Sequence, residues 1–270
     1  MNIRANSRNI AFFVRTLGTA FVLSLLFSHT LPLIVFADEA QPQLLTFYQY
    51  RPMYFISGNP LTKISLSIKT QIVRSIPINF GYTQLMMWDL FRQDPFFRDL
   101  NYAPEVFYRW KLSDDADADD WIDLGLIEHE SNGKGGADER SWNRSYVRYH
   151  SGTSLGDWAK LFWTVKAWVS YGYNASNTDI NQYRGLWEVE ITLAESLGAL
   201  FERGDFTFRF YPGGPSSLDP LAGGQELMFR GKLAHVKFVP ALVGQIFHGV
   251  GENLFDYKSN HWGFRIGFGF

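Results

Sequence analysis

The stretch His261-Trp262-Gly263-Phe264-Arg265-Ile266-Gly267-Phe268-Gly269-Phe270 alternates without a break. Trp262, Phe264, Ile266, Phe268 and Phe270 fall on one side; His261, Gly263, Arg265, Gly267 and Gly269 fall on the other. Successive side chains of a β-strand point to opposite faces, so this period of two predicts a strand with one apolar face and one small or polar face. The same period runs upstream. Ile64, Leu66 and Ile68 alternate with Ser65, Ser67 and Lys69; Trp163, Val165, Ala167 and Val169 with Phe162, Thr164, Lys166 and Ser170; Trp187, Val189, Ile191 and Leu193 with Glu188, Glu190 and Thr192. Phe206, Phe208 and Phe210 flank Thr207 and Arg209.

A soluble sandwich also alternates, so periodicity alone does not select the architecture. Three further features favour a membrane barrel: segments near ten residues, charges on the second face, and an aromatic residue at the C-terminus. The composition agrees. The chain is 17% aromatic, yet beyond the N-terminus it carries no apolar run long enough for a spanning helix, and aromatic girdles belong to barrels. Runs bounded by turn residues predict about twelve antiparallel strands, over 62–70, 76–90, 103–112, 120–131, 141–150, 158–171, 183–193, 195–203, 205–212, 225–235, 237–249 and 260–270. Pro240 inside one run suggests a bulge or a frayed end.

Arg4, Arg8 and Arg15 precede an apolar stretch from about Leu17 to Phe36, and Val35-Phe36-Ala37 closes it in a cleavage-like pattern. His29 and Pro32 interrupt the run, which favours a cleaved signal peptide over an anchor. The expected organisation is therefore a signal peptide over 1–37, a lead-in over 38–61, and one all-β transmembrane barrel domain over 62–270. Zero cysteines in an exported chain exclude a disulfide scaffold and thiolate metal sites. A net charge of −2 gives no footing for nucleic acid.

The chemistry lies in two clusters, His129-Glu130-Ser131-Asn132-Gly133 and Ser141-Trp142-Asn143-Arg144. Residues i and i+2 of a strand share a face, so His129 can lie beside the Ser131 hydroxyl. Asn143, on a following antiparallel strand, can approach His129 from the other side. A weak nucleophile, a base and a group that fixes the base's tautomer are what serine hydrolysis requires. The facing of the pair is open. Ile122, Leu124 and Leu126 have the opposite parity to His129 and Ser131, so simple alternation turns the pair inward; a bulge near Glu128 would turn it outward. Arg144 and Arg148 share the face opposite Asn143, which places Asn143 on the lipid side if the arginines line the lumen.

Together these clusters resemble the outer-membrane phospholipase A family. Tyr82-Thr83-Gln84, Asn101-Tyr102-Ala103-Pro104-Glu105 and the segment from Gly249 to Phe255 extend the likeness over about residues 82–270. The resemblance implies an outer-membrane enzyme in which Ser131, His129 and Asn143 form a triad that hydrolyses sn-1 and sn-2 phospholipid esters and lysophospholipids. It also implies calcium beside the serine, held by the backbone carbonyls of Lys134 and of Asp94 from a second copy, and by Glu139, which stands where relatives offer a serine hydroxyl. Gly136 replaces an acidic residue of the relatives. The family pairs reversibly along lipid-facing sides, and Gln84 matches its interfacial glutamine; a homodimer is therefore expected. The rivals are a non-catalytic barrel and a lipid A deacylase barrel. The acidic run 114–120 lacks the glycine and terminal glutamate of a calcium loop and reads as a solvated loop.

Overall fold

The computed structural model describes residues 45–114, 119–195, 201–233 and 240–270. The expected signal peptide and the middle of the acidic run lie outside these residues. The strands are β1 (Tyr48–Gln49), β2 (Tyr54–Asn59), β3 (Thr62–Gln71), β4 (Ile78–Asp89), β5 (Phe96–Lys111), β6 (Trp121–Ser131), β7 (Ser141–Leu155), β8 (Ala159–Tyr171), β9 (Trp187–Ala194), β10 (Phe201–Gly213), β11 (Asp219–Leu233), β12 (Ala241–Gly249) and β13 (His261–Gly269). Each of β3 to β13 pairs antiparallel with its sequence neighbours, and β2 joins β13 to β3, which closes a barrel of twelve strands. No described helix is long and apolar enough to cross a membrane, so any crossing is made by strands.

Two expectations about the strands need correction, and they cancel in the count. The segment read as a lead-in over 38–61 supplies β2, the strand that closes the barrel. It was hidden because β1 and β2 are two pieces of one interrupted strand on the same edge of β3. Tyr48 and Gln49 pair with Lys69 and Ile68, and Tyr54 to Ile56 pair with Ser65 to Lys63. Between them Tyr50 and Arg51 turn into the lumen, where Tyr50 stacks on Phe107 and Arg51 reaches Glu105. That detour breaks the period of two. In the other direction, the runs 195–203 and 205–212 were expected as two strands; the described part is one strand, β10, continuous through Gly204. Pro240 stands immediately before β12, where a missing N–H costs no ladder bond.

The alternation of β13 is reproduced: Ile266 is 70% exposed on the outer face while Arg265, beside it in sequence, is buried in the lumen. Inside, charges are paired. Glu128 receives Lys166 at 2.7 Å and Arg144 at 3.0 Å, with Arg51 at 3.6 Å. Asp123 is held in a fork by Arg109 and is shared with Arg148. Lys63 joins Glu226 and Glu252, and Arg265 joins Glu252. Arg51, Lys63, Arg109, Glu128, Glu226 and Glu252 among these groups line a cavity of about 380 Å³, and the lumen around it is held by side chains that neutralise one another. Removing one partner of such a cluster leaves the others buried and uncompensated, at about 3–5 kcal/mol. Glu128→Ala, which leaves the buried Lys166 without its carboxylate while Arg144 keeps Glu130 and Arg51 keeps Glu105, is expected to lower barrel stability by about that amount in denaturant titration. A loss below about 0.5 kcal/mol would show that water in the lumen solvates the freed cation.

The up-and-down order puts the connections 90–95, 132–140, 172–186, 214–218 and 250–260 at one end of the barrel. The C-terminus lies at the other, where the Phe270 N–H donates to the Met53 carbonyl.

Candidate active site

The site is built on the hairpin of β6 and β7, and its facing is set by one extra residue. Gly125 pairs with Tyr146 and Glu128 with Arg144, so three steps on β6 match two on β7. On the other edge, Gly125 pairs with Phe107 and Ile127 with Val106, which leaves Leu126 unpaired as the bulged residue. Its carbonyl accepts a 2.8 Å hydrogen bond from the Ser145 hydroxyl. Leu124, Leu126 and Ile127 are all exposed on the apolar face, whereas Asp123, Glu128 and the partly buried Glu130 turn inward to arginines. The bulge thus shifts the parity, and His129 and Ser131 share the outer face. Gly125 makes room beside it: a Cβ there would overlap the ring of Tyr146, its cross-strand partner.

His129 stands directly opposite Asn143, and His129 Nδ1 lies 2.9 Å from Asn143 Oδ1. An amide oxygen only accepts, so Nδ1 carries the proton and Nε2 presents a lone pair. Ser131 is one pleat further along the same face and pairs with Ser141 on one side and Tyr102 on the other. Its hydroxyl makes no hydrogen bond among the described residues, either to His129 or to any other group. Arg144 and Arg148, of opposite parity to Asn143, are buried in the lumen as expected.

The 132–140 connection is shaped by Asn132, which is 3% exposed. Its amide nitrogen donates to the Asp138 carbonyl, and its oxygen accepts from the Lys134 and Arg140 N–H groups. Gly133 takes φ +63° under Tyr102, where a Cβ would come within 2.9 Å of the ring. Lys134 sends its side chain across the face of Phe255 to the Arg98 carbonyl, 2.8 Å away. Glu139 has no hydrogen bond or ion pair to its carboxylate among the described residues; its carbonyl accepts from the Ser176 hydroxyl. Asp94 lies in the separate 90–95 connection. Within a single chain no group of three or more His, Asp or Glu side chains converges as a metal site among the described residues. Gln84, on β4, faces outward and accepts from the Tyr82 hydroxyl.

The 172–186 connection, not singled out in the sequence, braces this hairpin. Asn177, fully buried, receives the Ser141 N–H and donates to the Ser141 carbonyl, both at 3.1 Å. Tyr173-Asn174-Ala175-Ser176-Asn177 reads as an ordinary polar loop, and contacts across 36 residues leave no local signal. The loop is in turn tied to the 250–260 connection by Asp179, which accepts from Tyr257 at 2.5 Å and Lys258 at 2.6 Å. Burial favours the neutral acid, but those two donors outweigh it and hold the Asp179 carboxyl below its usual range. Because the folded-state value is depressed, this stabilisation is full above the ordinary carboxylate pKa of about 4 and is lost as pH falls through the depressed value. Hydrogen-exchange protection of the 174–184 amides, taken relative to intrinsic rates, should be constant from about pH 7 to 5 and should fall in stronger acid; Asp179→Asn should remove that fall.

The family model described as phospholipase A1 matches residues 38–270. The phospholipase A1 of Escherichia coli K12 is 29% identical over 224 residues, covering 77% of this chain and 68% of that protein. That of Klebsiella pneumoniae is 30% identical over 200 residues, 70% of this chain and 60% of its own length. Among solved structures, outer membrane phospholipase A from Escherichia coli superposes with a TM-score of 0.68 at 24% identity, over 86% of this chain and 94% of that one. The Salmonella typhi outer membrane phospholipase dimer with bound calcium gives 0.67 at 24%, over 85% and 93%. At that identity the structural likeness speaks for the fold; the match to the family model over nearly all of the chain speaks for descent. The chain belongs to the phospholipase A1 family.

Proposed function

We propose that this outer-membrane barrel hydrolyses the sn-1 and sn-2 acyl esters of glycerophospholipids, and of lysophospholipids, with Ser131 as nucleophile, His129 as base and Asn143 as the orienting group. The observation that carries this reading is the 2.9 Å His129–Asn143 bond on the lipid-facing side, with Ser131 on the same face. His129 Nε2 takes the Ser131 proton as Oγ attacks the ester carbonyl. The imidazolium then protonates the departing glycerol oxygen, leaving an acyl-serine. Water, deprotonated by the same nitrogen, attacks that ester and releases the fatty acid, and Ser131 regains its proton. Asn143 holds the productive tautomer throughout, but as a neutral amide it does not offset the imidazolium charge.

The 132–140 connection suits a hard cation, because it offers oxygens alone: backbone carbonyls and the uncommitted Glu139 carboxylate. Lys134 and Glu139 would hold calcium there, with the Asp94 carbonyl of a second copy completing the set. When bound, calcium supplies electrostatic stabilisation of the oxyanion. A homodimer joined along the lipid-facing surface follows from this arrangement. An outward-facing glutamine such as Gln84 is better satisfied against its twin than against lipid.

The decisive experiment is hydrolysis of intact phospholipid by purified, refolded protein with and without calcium. Activity in calcium that vanishes with chelator is expected, together with loss of crosslinked dimer; full activity in excess chelator would refute the metal. Glu139→Ala should raise the calcium concentration for half-activity by roughly ten-fold, through loss of one charged ligand. An unchanged requirement would move the ligand to Asp138 or to backbone oxygens. No hydrolysis under any condition would favour the non-catalytic barrel.

A further inference from the structure

Asn143 has a second neighbour besides His129. Its cross-strand partner on β8 is Tyr171, and the next residue, Gly172, leaves the strand at φ +61°. A Cβ built on Gly172 would stand 2.5 Å from Asn143 Nδ2 and 3.7 Å from its Cγ. A real carbon cannot share that space. The amide therefore lies with its oxygen toward His129 and its nitrogen over the bare Cα of Gly172. From there the chain runs into Asn174, Ser176 and Asn177, which hold the adjoining 139–141 backbone. Among the described residues only the Asn143 amide comes within 4 Å of that Cβ, so the amide is the group that must yield.

We propose that Gly172 is a positioning residue for the triad: its missing side chain provides the pocket that lets Asn143 turn its oxygen onto His129 Nδ1. The inference rests on the triad assignment above. Any Cβ at 172 displaces the amide nitrogen, and rotation of the amide carries its oxygen away from the imidazole. His129 then loses the acceptor that selects the Nδ1–H tautomer and aims Nε2 at Ser131. The substrate-binding face is untouched, so the defect belongs in kcat and not in KM. Two reasons for a glycine can be separated here. One is the left-handed backbone, which asparagine tolerates better than alanine; the other is the space, which asparagine fills at least as badly. Gly156 is an internal control. It has φ +65° in the β7–β8 turn at the opposite end of the barrel, and a Cβ there approaches only Trp158, at 3.7 Å.

The test is a double-mutant cycle on the full-length refolded protein in phosphatidylcholine–detergent micelles at saturating calcium, with heat-modifiable migration as the check on folding. Asn143→Ala should slow hydrolysis while leaving measurable activity. Gly172→Ala should lower kcat about ten-fold with KM within roughly two-fold of wild type, as expected for a misplacement of the order of an ångström. Gly172→Asn should be impaired as much, and Gly156→Ala should match wild type. In the Asn143→Ala background either change at 172 should cost less than roughly two-fold more, because the group through which it acts is gone. Full activity in Gly172→Ala, additive losses in the cycle, or recovery in Gly172→Asn alone would each overturn the inference. Asn143→Ala equal to wild type would sink the triad assignment and the inference with it, whereas an impaired Asn143→Ala beside an unimpaired Gly172→Ala overturns only the inference.

Discussion

Ser131→Ala and His129→Ala are each expected to cut phospholipid hydrolysis by a factor on the order of 10⁴ while leaving a folded, heat-modifiable barrel. Both side chains sit on the outer face and neither takes part in the lumen ion pairs, so their loss removes chemistry without removing a support. In the proposed triad the two act as one unit: without the base the hydroxyl is a poor nucleophile, and without the hydroxyl the base has nothing to activate. The double variant should therefore be little worse than either single one. Turnover assays on intact phospholipid at saturating calcium decide the matter, and near wild-type activity in either single variant would move the nucleophile elsewhere.

Insertion of one alanine between Ile127 and Glu128 is expected to abolish activity as completely, although it changes none of the three residues. Leu126 is the extra residue of the β6 bulge. A second extra residue after Ile127 cancels its change of parity, and His129 and Ser131 take the inward face of Gly125. Glu128 and Glu130 would then face lipid, where a charge costs several kcal/mol, so the strand must either invert its site or slip its register. Leu126→Ala, which keeps the residue count, should retain activity within roughly three-fold. The contrast between the two variants is the measurement. An active insertion variant would show that the residue count through the bulge does not set the facing of the pair.

That bulge marks where local pattern stopped being sufficient. Strict alternation in 121–131 gives the inward answer for His129, and nothing in Leu124-Gly125-Leu126-Ile127 announces which residue is left out of the ladder. The choice is made across strands. Glu128 is drawn inward by Lys166, Arg144 and Arg51, and Leu126 and Ile127 are both more stable on the lipid side. Similarly, β2 was missed because Tyr50 and Arg51 leave the period to reach Phe107 and Glu105, more than fifty residues away.

From the sequence alone came the barrel class, the inner and outer faces of most strands, the inward arginines of β7, and the three residues proposed as the triad. All of these follow from a period of two and from residue type, which are local properties of the chain. Tertiary structure alone decided the closure through an interrupted first strand, the outward turn of His129 and Ser131, the fit of Asn143 over Gly172, and the bracing of Ser141 by Asn177. Each depends on which strands lie side by side and on how many residues each contributes between shared hydrogen bonds. Pairing of that kind is settled only when the sheet closes, because the partners lie as far apart in the chain as Tyr54 and Gly269 and meet nowhere else.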